Sequence, residues 1–379
     1  MSWPVVPAAE LMVKRGGSVN PGKFADETFE LLSIPAFDKQ RPEILKGSQI
    51  GSSKSLVEPN DILLSKIVPH IRRCWVVPPK GKYRQIGSGE WIIFRDERFD
   101  SGFLKYFLTS DVFHRQFMNT VAGVGGSLVR ARPAEVERIK IPLPPLAEQK
   151  RIAAILDKAD AIRRKRQRAI QLADEFLRAV FLDMFGDPVT NPKGWEVWPI
   201  GEICGCIVPG RDKPKSFTGS TPWITTNELN HLGITTKKEE FIGLTEEEIA
   251  EVKAKVVPAG SVLMTCVGDL GVISIAGDDM VINQQLHAFL PSDFVTPSFL
   301  SYALAWQKGY MLRMASSTTV PYMNKTICNS IPVIMPPIDL QVKFEKTVEK
   351  VTENRIVMAG FSSANLFESI SQKAFSGEL

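Results

Sequence analysis

One stretch of this 379-residue chain is written twice, 192 positions apart, and that repeat limits the folds open to it more than any other feature. Ile139-Lys140-Ile141-Pro142-Leu143-Pro144-Pro145-Leu146-Ala147-Glu148-Gln149 returns as Ile331-Pro332-Val333-Ile334-Met335-Pro336-Pro337-Ile338-Asp339-Leu340-Gln341. In both copies a short apolar run meets a Pro-Pro step, which continues neither strand nor helix, and a long helical pattern follows. The same offset relates Trp3-Pro4-Val5-Val6-Pro7-Ala8-Ala9-Glu10-Leu11 to Trp195-Glu196-Val197-Trp198-Pro199-Ile200-Gly201-Glu202-Ile203. So long a period is too coarse for a solenoid. It describes one unit used twice: a globular part, a Pro-Pro joint and a long helix.

The first helix is expected from Leu146 to Phe185, where neither Pro nor Gly occurs and good helix formers dominate. Its apolar residues recur in threes and fours at Ile152, Ile155, Ala159, Ile162, Ala169, Ala173, Phe176 and Val180. Such a stripe, with small alanines that let a neighbour approach, demands a partner helix. Roughly 40 residues at about 1.5 Å each make a rod near 60 Å, too long to lie within one small domain. The second copy, Ile338 to Phe375, carries Phe344, Val348, Val351, Met358, Leu366 and Ile370 in the same manner. Gly186 and Gly377, just past the last apolar residues, are the expected stops. Packed antiparallel, the rods would separate two globular parts and relate them by a pseudo-twofold; the alternative is that each rod packs on its own globular part. The domains expected are 1–145 and 186–337, globular and of α/β (α+β) class, with 146–185 and 338–379 as coiled-coil-like spacer helices.

Within 1–138, strand-like runs at Asp61–Ser65, Cys74–Val77 and Glu90–Phe94 are bordered by turn residues, and one helix is expected from Ser101 to Phe117. Residues 195–330 repeat the plan loosely. Pro258–Thr265 answers Pro59–Ser65, and Pro297–Leu304 answers Ser101–Leu108.

Net charge is only +4, but it divides as +6 for 1–145, +3 for 146–185, −4 for 186–337 and −1 for 338–379. A basic front half favours a polyanionic partner, and in the acidic second half any such contact must come from local patches. The five cysteines are odd in number and only Cys204-Gly205-Cys206 are close, too few for a four-ligand zinc site. Buried or incidental thiols, and no metal, are expected. The start Met1-Ser2-Trp3-Pro4 lacks the signature of a signal peptide and no apolar run approaches membrane-spanning length, so a cytoplasmic protein is expected.

No catalytic signature emerges. Gly123-Val124-Gly125-Gly126-Ser127 lacks the spacing and the lysine of a phosphate loop, and Asn191-Pro192-Lys193-Gly194 is not the Asn/Asp-Pro-Pro-aromatic loop of an amino-methyltransferase. His70, His114, His231 and His287 stand at no zinc-ligand spacing. Binding signals are better. Lys66, His70, Arg72 and Arg73 follow the Asp61 strand, where an exposed loop would meet a polyanion. Gly125 and Ser127 with Arg130 and Arg132 combine a Gly loop with two guanidinium groups, suited to phosphate and to guanine. The counterpart in the second half, with Thr319, Tyr322, Asn324 and Lys325, offers hydroxyls and an amide, and Thr225, Asn227, Asn283 and Gln284 add more of the kind that reads adenine. Each of these is also compatible with an ordinary polar loop. The run Arg163-Arg164-Lys165-Arg166-x-Arg168 in mid-rod reads as a solvated face or a docking surface.

The segment Pro142-Leu143-Pro144-Pro145-Leu146-Ala147-Glu148-Gln149-Lys150-Arg151-Ile152-Ala153 resembles the signature of the specificity subunits of type I restriction-modification systems, and the resemblance extends over essentially the whole chain. It implies a subunit without catalytic activity, whose two target recognition domains each read half of a bipartite double-stranded DNA sequence while the helix pair sets the gap. It further implies two modification subunits that use S-adenosylmethionine to methylate adenine, and restriction subunits driven by ATP with Mg²⁺; no cofactor is expected on this chain. The partner-docking or spacer residues would be Pro144, Pro145, Gln149, Ile152, Ile155, Ala159, Ile162, Arg163 and Arg166, with Pro336, Pro337, Gln341, Phe344, Val348 and Val351 in the second copy. A scaffold subunit whose heads bind proteins instead of DNA is the competing reading.

Overall fold

The computed structural model describes residues 3–14, 16–122, 129–210, 212–316, 319–359 and 363–379, with backbone only for 356–359 and 363–365. The chain forms two compact units, Met1–Gln167 with Phe361–Leu379, and Arg168–Gly360.

In the first unit β1 (Thr28–Leu32) leads to an antiparallel sheet in which β2 (Ile62–Ser65) lies between β3 (Cys74–Val76) and β5 (Trp91–Phe94). β4 (Arg84–Gly87) runs parallel to β1 in a separate five-stranded sheet. β2 and β5 are apolar on both faces, and both faces are buried. Ile62, Leu64, Ile92 and Phe94 face a core shared with the helices, while Leu63 and Ile93 meet Leu32, Val77 and Trp91. Such strands read as continuous apolar runs because neither side meets water.

The helix expected from Ser101 to Phe117 is in fact two, α1 (Ser101–Thr109) and α2 (Asp111–Met118). Ser110 breaks it. Its backbone is extended, and its Oγ donates to the Phe107 carbonyl at 2.7 Å while accepting from the Phe113 N–H at 3.3 Å. The hydroxyl thereby caps both ends, a local alternative to the helical bond that serine is prone to supply. α3 follows as one 40-residue helix, Leu146–Phe185.

The second unit rebuilds the scaffold. β6 (Thr221–Ile224) lies parallel to β9 (Val281–Ile282) as β1 does to β4, and β7 (Val262–Thr265) is flanked by β8 (Ile273–Ala276) and β10 (Leu286–Phe289) as β2 is by β3 and β5. The extensions differ. Beside the parallel pair the first unit's sheet has three further strands and the second unit's has one, Gly243–Leu244, among the described residues, whereas the second unit adds Cys206–Ile207 and Ile234–Thr235 to the antiparallel sheet. α4 (Pro297–Trp306) corresponds to α1, and the second rod is described as two helices, α5 (Ile338–Ala359) and α6 (Ser363–Ser376), on either side of 360–362.

The repeated segments explain themselves in the joints. Val5–Pro7 pairs antiparallel with Lys140–Pro142, and Val197–Pro199 pairs in the same way with Pro332–Ile334, so each head is closed by its own two ends. The helix then begins at a buried glutamine. Gln149 accepts from the Asp100 N–H at 2.8 Å and donates to the Arg98 and Pro144 carbonyls at 2.9 and 2.8 Å. Gln341 accepts from the Thr296 N–H at 3.0 Å and donates to Phe294 and Pro336 at 3.2 and 2.9 Å. Both glutamines are 0% exposed. A Pro-Pro turn leaves carbonyls without helical donors, and a side-chain amide five residues on supplies them.

Each unit also holds an antiparallel helix pair. In the first, α3 packs through Ile152, Ala153 and Leu156 into the core that also holds Ala374 and Phe375 of α6, and Arg163 lies over the Phe367 ring at 5.5 Å. Phe375 meets Phe103 and Phe107 edge-on at 5.7 and 5.4 Å. In the second, Phe181 and Phe185 surround Phe344 of α5, and Arg355 reaches Asp174 at 2.8 Å. The rods therefore pack on each other and on the heads together, whereas the sequence posed these as alternatives. The buried face is also shifted from the one expected: Leu156, Leu177, Phe181 and Phe185 are inside, and Ile162 and Phe176 are 46% and 52% exposed.

Candidate nucleic-acid interface

In the first unit the chain leaving β2 is stitched to two other segments. The Lys66 N–H donates to the Glu90 carbonyl at 3.0 Å, the Ala131 N–H to the Lys66 carbonyl at 2.8 Å and the Val68 N–H to the Val129 carbonyl at 3.0 Å, with Ile67 bridged to Arg130. One rim thereby collects Lys66, Glu90, Arg130 and Arg132. Lys66 Nζ donates to the Gly89 carbonyl at 2.5 Å, and Arg130 pairs with Glu90 Oε1 at 3.2 Å while remaining 59% exposed. Arg132 is exposed and carries no side-chain hydrogen bond or ion pair among the described residues. A groove of about 320 Å³, lined by Lys14, Ser55, Lys66 and Pro133, opens beside it. Gly125 and Ser127 lie outside the described residues.

The chain then turns through Val68 and Arg72, both left-handed at φ 45° and 49°, a conformation costly for a β-branched valine. The turn leaves His70 exposed, but it ties the arginines down. Arg72 pairs with Asp111 at 2.6 Å and donates to the Thr109 carbonyl at 3.2 Å. Arg73 is turned back into the fold and grips Asp38 through Nε and a terminal nitrogen at 2.8 and 3.0 Å, which holds that carboxyl below its ordinary range. Of the four residues that the sequence grouped after the Asp61 strand, only His70 is thus exposed without an internal side-chain bond among the described residues.

In the second unit the equivalent chain leaving β7 is stitched in the equivalent way. Cys266 donates its N–H to the Gln285 carbonyl at 2.8 Å and accepts from the Met323 N–H at 2.9 Å, and Val267 is bridged to Tyr322. Arg130 and Tyr322, 192 positions apart, therefore answer each other in the two rims. The parallel strands add a second cluster to this rim. The Asn283 N–H donates to the Ile224 carbonyl at 2.9 Å, which brings Thr225 beside Asn283. Asn283 donates its amide to Gln285 Oε1 at 3.2 Å and accepts from the Gln285 backbone N–H at 3.1 Å, so its side chain is held, and Gln284 donates to the Asp212 carbonyl at 3.1 Å. Asn227, Thr319, Tyr322 and Lys325 are exposed. Thr225 and Asn324 also serve locally: the Thr225 hydroxyl bonds Glu228 at 2.5 Å, and Asn324 caps the helix Lys325–Asn329 by accepting from the Ile327 N–H at 2.9 Å. Glu90 joins the first rim although sequence reasoning did not single it out as a reader, and Gln285 joins the second beside Asn283 and Gln284 in the amide run that the sequence offers.

The helix residues divide by burial. Pro144, Gln149, Ile152, Ala159, Pro336, Gln341 and Phe344 are buried, and Ile155, Val348 and Val351 are half-buried. Those on the surface are Pro145, Ile162 and Pro337. Leu146 and Ile338, which begin the two rods, are each 43% exposed. Arg163 and Arg164 share Asp160 at 2.6 and 2.7 Å, which moderates the basic run, and Arg166 is half-buried. All five cysteines are free thiols, four of them buried. Among the described residues no helix is long and apolar enough to cross a membrane.

The model of the type I restriction modification DNA specificity domain matches residues 84–172 and 192–358. Over 158 residues the chain is 26% identical to the specificity subunit of the type I restriction enzyme MjaIX of Methanocaldococcus jannaschii, which covers 40% of this chain and 36% of that protein. It is 24% identical over 319 residues to the StySPI specificity subunit of Salmonella potsdam, covering 75% of this chain and 67% of that one. The match thus spans little more than a third of the MjaIX subunit. The solved S subunit of a type I restriction-modification system from M. genitalium superposes with a TM-score of 0.60 at 14% identity, over 99% of this chain and 96% of that one, so what is shared there is the fold.

Proposed function

The chain belongs to the type I restriction-modification DNA specificity family, and from that premise we propose that it is the sequence-reading subunit of a type I complex. Each head reads one half of a bipartite double-stranded DNA target. The observation that carries this reading is the equivalence of the two rims: the loop after the central strand is bridged to Arg130 in one head and to Tyr322 in the other. One scaffold thus presents different chemistry in each head, guanidinium groups in the first and amides and hydroxyls in the second. Guanine edges accept two donors from arginine, and adenine edges pair with an amide.

The gap between the half-sites is set by the length of α3 and its partner rod. Two modification subunits dock at Pro145-Leu146 and at Pro337-Ile338, equivalent exposed apolar steps at the starts of the rods, with Ile162, Leu172 and Phe176 as further apolar surface on α3. Methyl transfer from S-adenosylmethionine to adenine, and ATP- and Mg²⁺-dependent restriction, are assigned to those partners and to restriction subunits. No reaction is assigned to this chain. His287 is sealed in the second core and His231 Nδ1 is occupied by the Ile273 N–H at 3.1 Å, positions suited to structure.

A titration of the co-expressed modification complex against duplex DNA at rising salt tests the proposal. If several phosphates are engaged, affinity drops by orders of magnitude between about 50 and 200 mM salt. No DNA binding at low salt would instead assign the heads to protein partners.

A further inference from the structure

We propose that Glu90 is a specificity-determining positioning residue of the first half-site: it holds Arg130 for a guanine, while Arg132 holds the phosphate backbone. This rests on the DNA-reading role proposed above.

Glu90 is itself fixed. Its N–H donates to Ser88 Oγ at 3.3 Å and its carbonyl accepts from Lys66, so the side chain leaves a clamped backbone. Arg130 is clamped across the rim by its bridge to Ile67. Between them there is one bond, from a terminal guanidinium nitrogen of Arg130 to Glu90 Oε1, and the other two nitrogens of Arg130 are uncommitted among the described residues. Glu90 Oε2 is shielded from solvent and has no hydrogen-bond partner among the described residues. The carboxylate is therefore badly placed to meet a base and well placed to hold Arg130.

Two physical consequences separate the arginines. First, the Glu90–Arg130 pair has no net charge, so it offers little attraction to a phosphate, and a phosphate brought to Arg130 would approach the Glu90 carboxylate as well. What the pair keeps is direction. Guanine O6 and N7 require two N–H groups from a fixed guanidinium, and a side chain already oriented loses less freedom on binding. Second, Arg132 is exposed and carries no ion pair among the described residues, which suits the phosphate oxygens that position a protein without reading sequence.

The test uses the assembled modification complex and a set of duplexes in which each base pair of the target is replaced in turn. Arg130→Ala, Arg130→Lys and Glu90→Gln are expected to reduce the preference for guanine about 5- to 150-fold at one and the same base pair and to leave the other positions unchanged. Glu90→Asp should restore part of the preference, and Glu90→Gln combined with Arg130→Ala should lose no more than Arg130→Ala alone. Arg132→Ala should weaken binding equally on all sequences and flatten the salt dependence by about one phosphate. The nearly isosteric Glu90→Gln keeps the test valid if a smaller side chain perturbs the fold. Uniform weakening by Arg130→Ala, or an unchanged guanine preference in Glu90→Gln, overturns the proposal. A wild-type complex that binds DNA with no sequence preference overturns the parent reading with it, and is told apart by failing before any substitution is made.

Discussion

Removing the Gln149 side chain would leave the Asp100 N–H and the Arg98 and Pro144 carbonyls without partners in a joint closed to water. Each buried group stripped of its bond costs about 1–3 kcal/mol, so Gln149→Ala is expected to destabilise by at least about 2 kcal/mol in urea denaturation. Neighbouring Glu148, whose ion pair with Arg151 is half-exposed, should cost under about 1 kcal/mol when replaced by Ala. Equal effects would contradict the joint. A second residue contributes to acid stability. His287 is 1% exposed, and burial pushes its pKa down to about 4, with the Lys325 charge adding to the effect and the Asn329 amide opposing it in part. Below about pH 6.5 the unfolded chain takes up a proton that the folded chain refuses until near pH 4. Stability is therefore lost as pH falls through that window, by up to about 3 kcal/mol. His287→Gln should reduce the loss of stability between about pH 7 and pH 4.5, to which His114 and His231, also held below the ordinary histidine range by burial, add their own parts, and an unchanged slope would contradict it. The identity of Gln149 and Gln341 as joint residues was not legible in the sequence. The repeat exposed their equivalence, but only the fold shows which carbonyls the Pro-Pro step leaves open. The pairing of Arg73 was hidden for a similar reason: Asp38 lies 35 positions away, and nothing local announces it.

At the scale of elements, α3 was legible from end to end because forty residues without Pro or Gly permit little else. Its face was harder to read. The helix is buried near both ends and open around Arg163 to Arg168, so an apolar stripe drawn straight through mixes core residues such as Ile152 with surface ones such as Ile162 and Phe176. Periodicity alone cannot separate an apolar residue facing a core from one facing a future partner. The break at Ser110 escaped for the opposite reason, since the phenylalanines on both sides keep helical spacing across it. If the rods set the gap, adding one turn of about four residues to α3 and to the second rod should change the number of unspecified base pairs in the methylated sequence and leave both half-sites intact. Sequencing of methylated adenines reads this directly, and an unchanged gap would refute the role assigned to the rods.

For the whole molecule, the duplication read from two short segments proved to be a duplication of scaffold. The sheets share their central strands and differ in what is added outside them, and the strands that close each head are the repeated segments themselves. The rims diverge because, in the reading proposed here, each is shaped to a different half-site, so a repeat search finds the joints and misses the readers. The clasp between Val5–Pro7 and Lys140–Pro142 also marks where a head can be exchanged without disturbing its closure. The decisive measurement is to replace residues 8 to 138 by the matching segment of a relative, keep that clasp native, and sequence the methylated positions in a host carrying the complete system. The account predicts that one half of the bipartite target changes while the other half is retained. A change in both halves, or in neither, would contradict it.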